Sequence, residues 1–305
     1  MSIETDFRTI PVFIISYNRL LYLAKLVAWL GKAGYKNIHI VDNSSTYLPL
    51  LEYLQQSRHQ VHRMERNYGH LVVWDCHQFD SIVSEQVYVV SDCDILPDEA
   101  CPSDAVAYFY DVLQQRPQYT KVGFSLKVDD LPECYLFKDK VINWEKQFWA
   151  KQIGTGLFEG NIDTTFALYR PGIFPNDDRW WASVRTSAPY TARHLPWYLD
   201  SNNLSDEERC YQQDLKAMST FWSVTDALAL KEQNLKLRNE ILGLRWQVNH
   251  LRTHYWHLSK NRRELLASVL RRIGRQFRRN RKGRGKLLGD QTMGQALNGA
   301  RPRPR

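Results

Sequence analysis

From residue 11 to about residue 125, short runs of β-branched and aliphatic residues alternate with stretches in which apolar side chains recur every three or four positions. The runs cover residues 11–16 (Pro-Val-Phe-Ile-Ile-Ser), 37–41, 61–63, 87–90 (Val-Tyr-Val-Val) and 122–125. The helical stretches are 21–30, 48–56 and 104–115, with an apolar-rich segment over 70–83. Strand-length runs separated by helical segments predict a parallel sheet with crossover helices. The runs are continuously apolar, which predicts that both faces of the sheet are covered. Between residues 129 and 198 the periodicity fades and aromatic residues, Gly and Pro take over, with one strand candidate at 165–169. Loops over the open end of the sheet are expected there. A polar helix over 205–220, opening on the N-cap pattern Ser205-Asp-Glu-Glu208, closes a single α/β domain placed at residues 1–225.

Beyond Thr225 the pattern changes. Leu230, Leu237, Leu244, Leu251, Leu258 and Leu265 fall on every seventh position, with Asn234, Ile241, Val248 and Tyr255 at the alternate core position. This predicts an α-helical coiled coil over 226–262, parallel and two-stranded from Ile and Val at one seam position and Leu at the other, with Asn234 fixing register. The other reading of the same pattern is a long amphipathic helix packed on its own domain. Arg262 interrupts the seam. Residues 263–286 then combine Leu265, Leu266, Val269, Leu270, Ile273 and Phe277 with a dense set of Arg and Lys, a basic amphipathic segment suited to an anionic membrane surface. Residues 287–305 have no periodicity and are expected to be disordered.

Charge sharpens this division. The net +8 is carried by residues 259–305, which alone hold +13, so the remainder is mildly acidic at −5. Nucleic-acid binding by the Arg-rich tail is disfavoured, because it lacks interleaved aromatic residues beyond Phe277 and any recognised module. The five cysteines are odd in number, scattered and without CxxC spacing, which fits a reducing compartment. The N-terminal residues carry charges and no long apolar stretch. A cytoplasmic protein is expected, or one peripheral to the cytosolic face of a membrane.

The chemistry gathers where strands end. The run 87–90 leads through Ser91 into Asp92-Cys-Asp94, two carboxylates that face the same way in an extended chain and can reach one hard cation, Mg²⁺ or Mn²⁺. Such an ion serves to neutralise a departing diphosphate. Ser16-Tyr-Asn-Arg19, Asp42-Asn-Ser-Ser45 and Arg66-Asn-Tyr-Gly69 follow the first three strands, at the edge where open α/β sheets take ligands. Each also reads as turn chemistry.

Taken together, Ile14-Ile-Ser-Tyr-Asn-Arg19, Ile40-Val-Asp-Asn-Ser-Ser45, Arg66-Asn-Tyr-Gly69 and Ser91-Asp-Cys-Asp94 resemble the nucleotide-binding half of GT-A glycosyltransferases, in particular the family 2-like enzymes of bacterial surface polysaccharide synthesis. The resemblance spans about residues 10–200. It implies a Rossmann-like, mainly parallel sheet and metal-dependent transfer of a sugar from a nucleotide-sugar to a hydroxyl of a glycan or lipid-linked acceptor. Donor contacts are then expected from Ser16, Asn18, Arg19, Asp42, Asn43, Asn67 and Asp92, with Asp94 and His194 as metal ligands. Gly154-Thr-Gly156 and Gly160-Asn-Ile-Asp163 resemble the family's glycine loop and acidic position, which implies Asp163 as the base for the acceptor hydroxyl. The usual Glu-Asp pair is replaced here by Ile162-Asp163, and Asp177 and Asp178 are rivals within a turn-like stretch. His194 has a second reading as a loop histidine packed among Trp197 and Tyr198. Arg185 and Arg193 could face a diphosphate, and Trp180, Trp181, Trp197 and Tyr198 could stack on a sugar or simply pack. Two other functions stay open: a non-catalytic coiled-coil scaffold with a vestigial site, and a sugar-phosphate nucleotidyltransferase. The latter lacks its glycine-rich loop, since Ser16-Tyr-Asn-Arg-Leu20 has no glycine.

Overall fold

The computed structural model describes residues 6–214 and 224–284. Its elements are β1 (Val12–Ser16), α1 (Leu20–Lys32), β2 (Ile38–Asp42), α2 (Leu48–Gln55), β3 (Gln60–Arg63), α3 (Val72–Asp75), α4 (Asp80–Glu85), β4 (Tyr88–Asp92), β5 (Ile95–Pro97), α5 (Ala105–Gln115), β6 (Lys121–Leu126), α6 (Lys138–Glu145), β7 (Gln152–Gly154), β8 (Leu157–Glu159), β9 (Ala167–Tyr169), β10 (Ser183–His194), α7 (Asp206–Asp214) and α8 (Val224–Arg284). The chain divides into a compact unit of Met1–Leu228 and a second of Ala229–Arg305, close to the boundary expected after 225.

The first unit is an α/β body around a ten-stranded sheet in the order β3-β2-β1-β4-β9-β6-β10-β8-β7, with β5 paired to β10. β1, β2 and β4 are buried almost throughout, as their predominantly apolar runs favour. Successive side chains of β1 go to opposite faces. Val12 and Ile14 join a core completed by Leu23, Leu26 and Leu30 of α1 and Phe109 and Val112 of α5. Phe13 and Ile15 join a second core with Val72, Val73 and Trp74 of α3, Val83 of α4, and Trp180. Helices cover both faces.

The sheet corrects one expectation. It is mixed: β1 pairs in parallel with β2 and β4, and β6 with β10, but β9 lies antiparallel between β4 and β6. The close approach of β9 is possible because residue 123 is glycine. A Cβ there would stand 2.6 Å from the Phe166 carbonyl oxygen. Within residues 129–198 the strand candidate at 165–169 is β9, and the stretch expected otherwise as loops also supplies α6 and the strands β7, β8 and β10. The 12-residue β10 is the longest strand, and its register against β6 shifts between Thr186 and Thr191, where Pro189 interrupts.

In the polar helix predicted over 205–220, α7 begins as expected, with Ser205 Oγ accepting from the Glu208 amide at 3.2 Å. Its continuation past 214, like the tail at 287–305, lies outside the described residues. The second unit is described as one continuous helix, α8, of which residues 229–284 belong to it. Leu237, Ile241, Leu244, Val248 and Leu251 of the heptad seam are exposed in the single chain. No helix among the described residues is long and apolar enough to cross a membrane.

Candidate functional site

The carboxyl ends of β1, β2 and β4 open onto a cleft of about 870 Å³. β4 enters it with Asp92, whose amide donates to the Thr164 carbonyl at 2.8 Å. After Asp94 the chain turns into β5, which runs antiparallel to β10 with His194 opposite Ile95. That register delivers His194 beside Asp94, and the Leu195 amide donates to the Asp94 carbonyl at 2.9 Å. His194, at the end of β10, places Nε2 3.5 Å from Asp94 Oδ2, and its ring packs on Trp197 with centroids 4.7 Å apart.

Asp94 has a second partner. Arg19, on the loop after β1, places Nη1 2.6 Å from Asp94 Oδ2 and Nη2 3.0 Å from Glu208 Oε1 of α7. The Tyr211 ring lies 3.5 Å from the guanidinium carbon. All three charged side chains are buried, and a low surrounding dielectric strengthens such contacts. Burial by itself would raise the Asp94 carboxyl, but His194 and Arg19 outweigh it and bring it down to about 2. The Arg19 charge is opposed by burial and held by Tyr211, Glu208 and Asp94.

Asp92 differs from Asp94. Burial, then the nearby Asp94 and Asp163 charges, push its carboxyl well above the usual range against an opposing hydrogen bond from Thr164. Thr164 Oγ1 donates to Asp92 Oδ2 at 2.6 Å, while the Thr164 amide donates to Asp163 Oδ1 at 2.7 Å. Thr165 adds two further donors to that same Asp163 oxygen, through its amide and hydroxyl. Asp163 is exposed to the cleft with one oxygen fixed in this way, and Tyr169 Oη donates to its carbonyl. A carboxylate oriented by three donors and open to solvent is placed to accept a proton.

Arg19, Asn43, Asn67, Asp92, Asp94, Asp163 and His194 all line this cleft, as the sequence reading expects. Ser16, Asn18 and Asp42, also expected at the donor, do not line it; each is fully buried. Asn18, at φ +50°, accepts from the Thr46 and Tyr47 amides at 2.7 and 2.9 Å and so ties the loop after β1 to the loop after β2. Asp42 Oδ1 accepts from the Ser45 amide at 3.2 Å. Asn43 Nδ2 donates to Asn67 Oδ1 at 2.8 Å and to the Gly69 carbonyl at 2.9 Å, shaping residues 67–70 along the cleft wall. Asp177 bonds the Arg179 backbone and side chain, which is turn chemistry. Arg193 pairs with Asp98 and Asp130 and does not line the cleft.

Three features have little or no trace in the sequence. Glu145 of α6 forms a buried pair with Arg185 at 3.1 Å, and Arg185 also donates twice to the Asn161 carbonyl. Burial raises the Glu145 carboxyl, with Arg185 opposing. Glu208 and Tyr211 surround Arg19 from a helix legible only by its capping pattern. Lys121, fully buried at the start of β6, places Nζ 3.7 Å from the Trp180 ring centroid with no hydrogen-bond partner. Burial lowers its amine to about 7, Asp163 opposing.

In comparisons with known proteins, no family model matches the chain and no curated protein matches it. Whether these residues suit a metal therefore rests on their geometry. Among the described residues, no three or more His, Cys, Asp and Glu side chains are grouped to hold an ion. Asp94 Oδ1, however, is buried without a hydrogen-bond partner, and His194 stands beside the same carboxylate. Mg²⁺ and Mn²⁺ at phosphate sites take one or two protein ligands and complete their shell with phosphate oxygens and water. Asp94 with His194 fits that mode.

Proposed function

We propose that the chain is a GT-A-like glycosyltransferase that moves a sugar from a nucleotide-sugar to an acceptor hydroxyl. One juxtaposition carries the reading: the Asp92 and Asp94 pair, with Asp163 and His194 from two other stretches of the sequence, lines one cleft beside Arg19 at the ligand-binding edge of the sheet. Asn43 and Asn67 bound the part of the cleft suited to the nucleoside. Asp92 serves the donor ribose or sugar, and Arg19 supplies fixed positive charge near the diphosphate. A divalent cation, Mn²⁺ or Mg²⁺, held by Asp94 and His194 would neutralise charge on the departing diphosphate. The acceptor oxygen bonds to the anomeric carbon as the bond to the diphosphate oxygen breaks. The electron pair leaves with the diphosphate, and the hydroxyl proton passes to Asp163.

Incubating the full chain with a panel of nucleotide-sugars, with Mn²⁺ or with EDTA, tests this. Metal-dependent donor turnover is expected, lost in Asp94→Asn with the circular dichroism of the fold retained. Failure of every donor to bind or turn over sinks the reading.

We also read the second unit as an assembly and docking element. The exposed seam of α8 favours self-association as a coiled coil, measurable as a dimer by sedimentation. Past Val269 the seam positions carry Arg272, Gln276 and Arg279, while exposed Leu266, Leu270 and Ile273 lie off the seam. A two-stranded seam leaves that stripe uncovered, whereas an anionic membrane surface suits an apolar face set against arginines. Joint substitution Arg271→Glu, Arg272→Glu and Arg275→Glu should abolish sedimentation with phosphatidylserine vesicles. Unchanged binding would remove this part of the proposal.

A further inference from the structure

Among the described residues of the α/β body, the exposed large apolar side chains are Leu21, Leu48, Trp144 and Trp181. Both tryptophans line the cleft, with exposures of 54% and 53%. An indole left in water forgoes the free energy of burying one of the largest apolar side chains, so two at one cleft mark a surface built to be covered.

Their supports converge on the loop that carries Asp163. Ser183 Oγ lies 2.8 Å from the Gly160 carbonyl and 3.2 Å from the Trp181 carbonyl, which share its one proton, and accepts from the Ile162 amide at 3.1 Å, tying the backbone beside Trp181 to the start of that loop. On the other flank Phe148 packs so closely that a Cβ at Gly160 would stand 3.3 Å from it. Trp144 meets Phe148 edge-on at 6.2 Å. Arg185 lies 3.9 Å from the Phe148 ring centroid and is itself locked by buried Glu145 and the Asn161 carbonyl. The aromatic groups are thus mounted on a rigid, charge-paired base, with polar Gln147 and Asn161 also lining the cleft.

We propose that this is the acceptor subsite and that the acceptor is a saccharide, taken by stacking of pyranose faces on Trp144 and Trp181. The inference rests on the glycosyl-transfer reading of the same cleft. A pyranose presents apolar C–H faces and hydroxyl-bearing edges, matching aromatic walls with interspersed amides. An acyl chain or a protein surface would call for a broader apolar patch than two indoles.

Saturation-transfer NMR on the full chain without donor provides the test, with methyl β-glucoside and methyl β-galactoside as probes and sorbitol as a polyol without a ring. A glycoside should bind and sorbitol should not. Trp144→Ala and Trp181→Ala should each weaken glycoside binding about fivefold, the value of roughly 1 kcal/mol of aromatic stacking. Trp144→Phe should restore most of it. Titration with UDP and GDP should be the same for every variant. Absence of glycoside binding, or binding untouched by both alanine variants, overturns the subsite. Tryptophan-dependent glycoside binding without affinity for any nucleotide would sink the transfer reading and leave the subsite standing.

Discussion

The two halves of the body build opposite sides of one cleft by different means. Across β1, β2 and β4 the support is apolar: buried five-residue strands in parallel register, with helices on both faces. Some of the polar residues at the strand ends there turn inward, as Asn18 and Asp42 do, and hold loops together. From 129 to 198, strands β7 to β9 are only three residues long, and a buried ion pair, Glu145 with Arg185, stiffens the wall. There the polar and aromatic groups that matter, Asp163, Trp144 and Trp181, face outward. A polar side chain at a strand end is therefore as readily a staple as a ligand, and its direction decides which.

That contrast can be broken by experiment. The largest effect is expected at Asp163→Asn, which keeps the oxygen that accepts from Thr164 and Thr165 but removes the base. Transfer should fall by about 10²–10⁴-fold with donor affinity and melting temperature unchanged. Glu145→Ala should instead act on stability, at a cost of about 3–5 kcal/mol in chemical denaturation, because Arg185 is left buried without its counter-charge. Asn18→Ala should cost about 2–4 kcal/mol, from the amides it leaves unpaired, while donor binding by the folded fraction persists. If donor affinity fell and stability did not, Asn18 would be a contact after all. The smallest effect, taken over a single pH unit, is a pH dependence. Lys121 titrates at about 7 in the folded chain against 10.5 as an ordinary lysine. Between those values the unfolded chain holds a proton that the folded chain has released, so stability rises with pH, by up to about 1.4 kcal/mol per unit. Lys121→Met should flatten that rise.

The first half was legible because the strongly apolar runs at 11–16, 37–41 and 87–90 are best satisfied by a sheet covered on both faces. β10 was not legible. Ser183-Val-Arg-Thr-Ser-Ala-Pro-Tyr-Thr-Ala-Arg-His194 has no clean alternation and contains a proline, yet it bridges β6 and β8 because the register shift accommodates Pro189. The Asp92-Cys93-Asp94 element was visible as a pair on one strand, but the different surroundings of its two carboxylates were not. Those come from Thr164, Arg19 and His194, distant in sequence and brought together by strand register. Glu145 left no signal at all, since an isolated acid on a polar helix reads as solvated surface. Lys121, just ahead of the apolar run 122–125, carries no mark of burial in the sequence, and only the aromatic packing around it reveals it.

Arg19 also sets a timetable for synthesis. Its first counter-charge, Asp94, follows 75 residues later, and its second, Glu208, 189 residues later. At ribosomal speeds that is roughly 10–40 s during which the guanidinium is without its full complement of partners. The apolar layers of the first half can pack in that interval. The cleft's charge balance is completed last, when residues 206–214 dock, so the region with the greatest chemical capacity is also the last to acquire its native electrostatics.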